Sequence, residues 1–105
     1  MTVDTVRRRF TVGEYVHMAQ VGILTTRDRV ELLDGEIVEM TPIGFPHAAC
    51  VAALVRVLVI GVGPRAVVWP QGPIRLSERS QPEPDVTLLR PRPVPYRDAA
   101  AEPRD

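Results

Sequence analysis

Residues 48–63 are apolar except for Arg56, and this run constrains the fold more than any other part of the chain. A bilayer span needs about 20 such residues, and a charge at its centre costs about 2.5–3.5 kcal/mol on insertion scales. The run therefore reads as a buried helix of a soluble domain, over about 47–60, ended by Gly61 and Gly63. Val51, Leu54, Val55 and Leu58 form its densest face, and Ala49, Ala52, Ala53 and Arg56 a small-residue face on the other side. A helix so apolar needs cover on most of its circumference. The rest of the chain must then supply a sheet larger than a single hairpin.

The elements around it have local signatures. Thr11 and Glu14 have the spacing of a capping box, in which hydroxyl and carboxylate each satisfy an otherwise orphaned backbone N–H. Val12, Tyr15, Val16 and Ala19 then share one face of a two-turn helix that Gly22 can stop. Further on, Asp34-Gly35 separates two strand-like runs and favours a type I′ turn, since both residues reach positive φ at low cost. That turn pairs Leu33 with Glu36, Leu32 with Ile37 and Glu31 with Val38, and sets Glu31 on the face opposite Leu32. Residues 66–69, 74–76 and 86–89 read as strands, with a polar loop over 77–84. Beyond Arg90, Pro91, Pro93, Pro95 and Pro103 are mixed with Arg, Asp and Ala without apolar periodicity. The expected organisation is a flexible N-terminus over 1–8, one domain over 9–90 and a disordered Pro/Arg-rich tail over 91–105.

Charge and composition remove several chemistries. The thirteen basic residues balance thirteen acidic ones, and every basic residue is Arg. Arg stays protonated, so a Schiff base, a phosphate-loop lysine and a nuclease lysine are all excluded for this chain alone. Zero net charge gives no global attraction to nucleic acid or anionic membranes. Cys50 is the only cysteine, so no internal disulfide forms, and with His17 and His47 it cannot make a structural zinc site without carboxylates or a second chain. This usage fits a reducing cytoplasm, and no secretion signal is read at the N-terminus.

The strongest chemical feature is Pro84-Asp85 at the mouth of an apolar strand, with Glu31 on the hairpin. Carboxylates at strand ends can hold a divalent cation that activates water and neutralises phosphate charge. The weaker candidates are Arg7-Arg8-Arg9, which reads as a solvated chain end, and His47 with Cys50 at i, i+3, which reads as a capping-region histidine and a buried thiol. Trp69 reads as core, with base stacking as its alternative.

Taken in order, Arg9-Phe10-Thr11-Val12-Gly13-Glu14-Tyr15, Asp28-Arg29-Val30-Glu31-Leu32-Leu33-Asp34-Gly35-Glu36-Ile37, Pro42-Ile43-Gly44 with His47, Pro73-Ile74-Arg75-Leu76 and Pro82-Glu83-Pro84-Asp85-Val86 closely resemble the Uma2 family. That family is described as a putative restriction endonuclease domain, and the resemblance runs from about Arg8 to Arg90. It implies an α/β (α+β) fold of the PD-(D/E)XK nuclease type, with a mixed sheet, flanking helices and a magnesium site for DNA phosphodiester hydrolysis. Carried over, Asp85 matches the motif Asp and Glu31 the hairpin Glu, both implied as catalytic metal ligands. His47 and Gln71 fall where the family commonly places polar residues.

The family pattern continues with a second acidic residue on the next strand and a lysine, and neither follows here. Glu102-Pro103-Arg104 has the spacing but not the strand context, because Pro103 would break a central strand. The expectation is a Uma2-type hydrolase with the C-terminal half of the fold missing and inactive alone. The alternative is a truncated or decayed relative that serves as a nucleic-acid- or protein-binding module. The uncovered helix face implies self-association or marginal stability.

Overall fold

The computed structural model describes residues 4–93 and 96–105. Two helices and two small antiparallel sheets make an α+β architecture: α1 (Val12–Gln20), β1 (Val30–Leu33), β2 (Glu36–Glu39), α2 (Phe45–Val62), β3 (Val67–Pro70) and β4 (Val86–Leu89). Among the described residues the sheets are β1-β2 and β3-β4, with a 3-10 turn, Gly63–Arg65, between α2 and β3.

α1 starts as its cap dictates. The Thr11 hydroxyl accepts from the Glu14 N–H at 3.1 Å, and the Glu14 carboxylate accepts from the Thr11 N–H at 3.0 Å. The capping contacts hold the Glu14 carboxyl below the usual carboxylate range, chiefly the Thr11 backbone bond, with the Arg8 guanidinium adding to it. Val12 is the buried residue of this helix.

The hairpin has the predicted register, Leu33↔Glu36, Leu32↔Ile37 and Glu31↔Val38. Asp34 and Gly35 take φ of 47° and 81°, as a turn of this type requires. A third segment lies against β1: the Gln81 N–H donates to the Leu32 carbonyl at 2.8 Å, the Gly35 N–H to the Arg79 carbonyl at 2.7 Å, and the Asp34 N–H to the Ser80 hydroxyl at 2.8 Å. Leu32, 0% exposed, sits beneath this junction. The chain entering α1 closes the other side, where the Phe10 N–H donates to the Gly35 carbonyl at 2.9 Å. Arg7, Arg8 and Arg9, expected as a solvated end, pair with Glu36, Glu14 and Asp34 respectively. All three pairs are exposed, where such contacts contribute about 0–1 kcal/mol. Of the stretch expected to be flexible, 1–3 lie outside the described residues.

α2 corrects an expectation. It runs two residues further at each end than predicted; at the N-terminal end Pro46 sits in the first turn, where its missing N–H costs nothing. None of its residues is buried. Val51, Val55, Leu58 and Val62 are half-buried on the side facing β3, and Leu54, expected on that face, is 45% exposed. The physical reason is the cover available: among the described residues, the sheet against α2 is the β3–β4 pair alone.

A second core lies where the tail returns. Ile74, Leu89, Tyr96 and Ala101 are buried together, with Val67 and Trp69 packed against them. The Trp69 and Tyr96 rings meet edge-on, centroids 6.2 Å apart, and the Arg92 guanidinium lies 4.3 Å from the Tyr96 ring centroid. Residues 74–76, expected as a strand, make a single parallel bridge, Ile74↔Ala101, supported by Arg75 N–H to the Ala101 carbonyl at 2.8 Å. The Arg90 N–H donates to the Asp105 carbonyl at 2.7 Å, and Arg92 pairs with the Asp105 side chain. The expectation of a disordered tail therefore does not describe residues 96–105. Two apolar side chains and a few backbone bonds hold this segment without any regular element, so no periodicity announces it; 94 and 95 lie outside the described residues.

Candidate functional site

Glu31, His47, Gln71 and Asp85 come from four separate segments and line one open cleft of about 1320 Å³. That is wider than the roughly 300–1,000 Å³ of a small-molecule pocket. Its floor is the junction between the hairpin and the segment leading into β4. Glu31 is on β1, on the face opposite Leu32, and its Oε2 accepts from the Glu83 N–H at 3.0 Å. This bond ties the hairpin to the Pro-Glu-Pro-Asp segment across fifty-two positions of sequence.

Asp85 immediately precedes β4. Its Oδ2 lies 3.1 Å from Nε2 of His47, which the first turn of α2 delivers to the same place; both side chains are about half exposed. The Asp85 carbonyl accepts from the Gln71 N–H at 3.0 Å. Gln71 has φ of 51°, a left-handed conformation that non-glycine residues seldom adopt. The neighbouring glycine explains how the chain passes here: a Cβ at Gly72 would fall 1.5 Å from Nε1 of Trp69. Only glycine lets the backbone cross the indole so closely, and that crossing sets Gln71 beside Asp85.

Two further cleft residues were not singled out in the sequence. Burial pushes the Glu83 carboxyl above its usual range, the Glu31 charge pushes the same way, and Arg29 opposes both. Tyr15, whose hydroxyl donates to the Val30 carbonyl at 3.2 Å, has its phenol raised by burial and then by the Glu83 and Glu31 charges. A usable signal existed for Glu83, because alternate residues of an extended segment share a side and Glu83 stands two before Asp85. Tyr15 gave none, since it lies in the apolar pattern of α1.

The cleft has five carboxylates in its lining, Asp28, Glu31, Glu39, Glu83 and Asp85, against the single guanidinium of Arg29. An acidic groove repels a phosphodiester unless a cation neutralises the meeting. Hard oxygen donors suit Mg2+, which commonly takes one or two carboxylates and completes its shell with water and substrate oxygens. Asp85 and Glu31 fit in donor type but form no closed cage. Among the described residues, no three of His, Cys, Asp or Glu are grouped as metal ligands. Cys50 is exposed and free, contrary to the buried thiol expected.

Comparison with known proteins gives one family. The model of Uma2, described as a putative restriction endonuclease, matches residues 12–105. The match takes in the segment beyond Arg90, where the motif resemblance stopped, and the α+β architecture is consistent with a restriction-endonuclease-like fold. No curated protein and no solved structure matches the chain.

Proposed function

Because this chain belongs to the Uma2 family of putative restriction endonucleases, we propose that its cleft is the acidic part of a Mg2+-dependent DNA endonuclease site, hydrolysing phosphodiester bonds. The observation that carries the reading is the meeting of Glu31, His47, Gln71 and Asp85 in one open groove of strongly acidic lining. In this reading Asp85 and Glu31 hold the cation. His47 positions the Asp85 carboxylate through its Nε2, and Gln71 offers an amide to the substrate beside them.

The same reading makes the 105 residues inactive alone. A lysine of the kind such sites use is not among them, and Arg cannot give up or relay its proton. That absence, with the lack of a third ligand among the described residues, favours a second reading: a non-catalytic relative that binds nucleic acid or protein.

Two measurements separate the readings. Supercoiled plasmid incubated with the purified chain and Mg2+ is expected to stay intact. Cleavage abolished by Asp85→Ala would overturn the inactivity and mean that the site is completed in trans. Titration calorimetry with Mn2+ is expected to show weak binding that Asp85→Asn or Glu31→Gln removes. Binding that both variants leave unchanged, or no binding at all, would sink the proposed ligands and leave the second reading.

A further inference from the structure

A compact monomer of 11.7 kDa exposes roughly 5,900 Å² on the scaling of surface with mass. This chain exposes 8065 Å². Its Cα radius of gyration is 16.5 Å, where a compact chain of this length has about 13 Å. The surplus of roughly 2,200 Å² is well above the ~800 Å² that each partner contributes to a standard protein interface.

Among the described residues, α2 holds more exposed large apolar side chains than any other element: Phe45, Leu54, Val57, Val59 and Ile60. Its sheet-facing stripe is Val51, Val55, Leu58 and Val62. By helical periodicity Ala49, Ala53, Arg56 and Ile60 lie on the side turned away from it, flanked by Ala52 and Val57. All six are exposed, Ile60 by 74% and Val57 by 65%.

We infer that this outer face of α2 pairs, antiparallel, with the same face of a second copy of the chain. The surface is small in its N-terminal half and large in its C-terminal half. A two-fold axis near the middle of the helix sets Ile60 over the partner's Ala49 and Val57 over the partner's Ala52, and does so twice in one closed interface. A parallel pair would oppose Ile60 to Ile60 and leave the alanines facing a void. Arg56 falls beside the partner's Ala53, where its aliphatic stem covers apolar surface while the guanidinium reaches water. The helix with its 3-10 extension, Phe45–Arg65, is long and apolar enough to cross a bilayer, but that occupant would place the charged Arg56 near the centre of the span and is the poorer one. This pairing is independent of the nuclease reading.

The experiment is sedimentation velocity on the full 105-residue chain over a concentration series, with circular dichroism alongside. The wild type is expected to sediment as a dimer at micromolar concentration. Val57→Glu/Ile60→Glu is expected to weaken association at least about thirtyfold, the effect of losing a central interface anchor, with helicity retained because neither side chain is buried within its own chain. If that variant loses its helix, Ala49→Glu, at the opposite end of the same interface, decides in its place. A wild-type monomer, a dimer that these substitutions leave intact, or a monomer that partitions into phosphatidylcholine vesicles would each overturn the inference.

Discussion

The hairpin mixes apolar residues with three glutamates while α2 is apolar almost throughout, yet the less apolar of the two holds the better-covered side chain. Around the hairpin, the incoming arm, residues 79–81 and α1 all converge, and Leu32 is completely covered. Among the described residues, α2 packs chiefly against β3, and no side chain of the helix is buried. Apolar content alone therefore does not decide burial. The hairpin has polar backbone partners on both flanks that hold its cover in register, whereas α2 satisfies its own backbone and relies on whatever apolar surface is presented to it.

The sharpest test of that contrast compares one deletion in each region. Leu32→Ala should cost about 2–5 kcal/mol in urea unfolding, while Leu54→Ala should stay within about 0.5 kcal/mol. Equal costs would mean that α2 is as firmly covered as the hairpin. Next come two glycines. At Gly35, φ is 81° and a Cβ would sit 2.5 Å from that of Arg9, so Gly35→Ala should cost about 1–3 kcal/mol and expose the Phe10 amide to hydrogen exchange. At Gly61 a Cβ would have nothing within 4 Å, so Gly61→Ala should stabilise by about 0.5–1 kcal/mol. Thr11→Ala removes the α1 cap and should cost about 1 kcal/mol, leaving the α2 helicity unchanged.

The smallest effect is a difference in pH response between two glutamates. Glu14 is held below its ordinary value of 4.5 in the folded chain, so its contribution is in place above that pH and is lost as pH falls through the folded value. Glu83 is held above 4.5, so stability falls as pH rises from there through its folded value. Glu14→Gln should flatten the acid side of the unfolding profile, and Glu83→Gln should remove the decline on the other side. Equal profiles for the two variants would contradict the opposed environments.

What the sequence made legible follows the same division. The Thr11–Glu14 box and the Asp34-Gly35 turn specify their elements through neighbours a few residues away, so cap and register could be read directly. The residue types of the cleft were readable too, because Glu31, His47, Gln71 and Asp85 stand in a recognisable order. Their partners were not. The His47–Asp85 contact depends on where the start of α2 lands beside β4, and the place of Tyr15 in the cleft depends on how α1 closes against the hairpin. No local period encodes either. The tail shows the limit most clearly, since Tyr96 and Ala101 complete a core from a stretch whose prolines suggested none.

The bond from the Glu83 N–H to Glu31 also fixes an order of events during synthesis. The hairpin can form soon after residue 39 leaves the ribosome, but its carboxylate has no partner until residue 83 has emerged as well. At about 5–20 residues per second, one to several seconds separate the emergence of residue 62, the end of α2, from that of residue 83. The two sides of the cleft are therefore made far apart in time, and this bond can join them only after α2 has been synthesised in full.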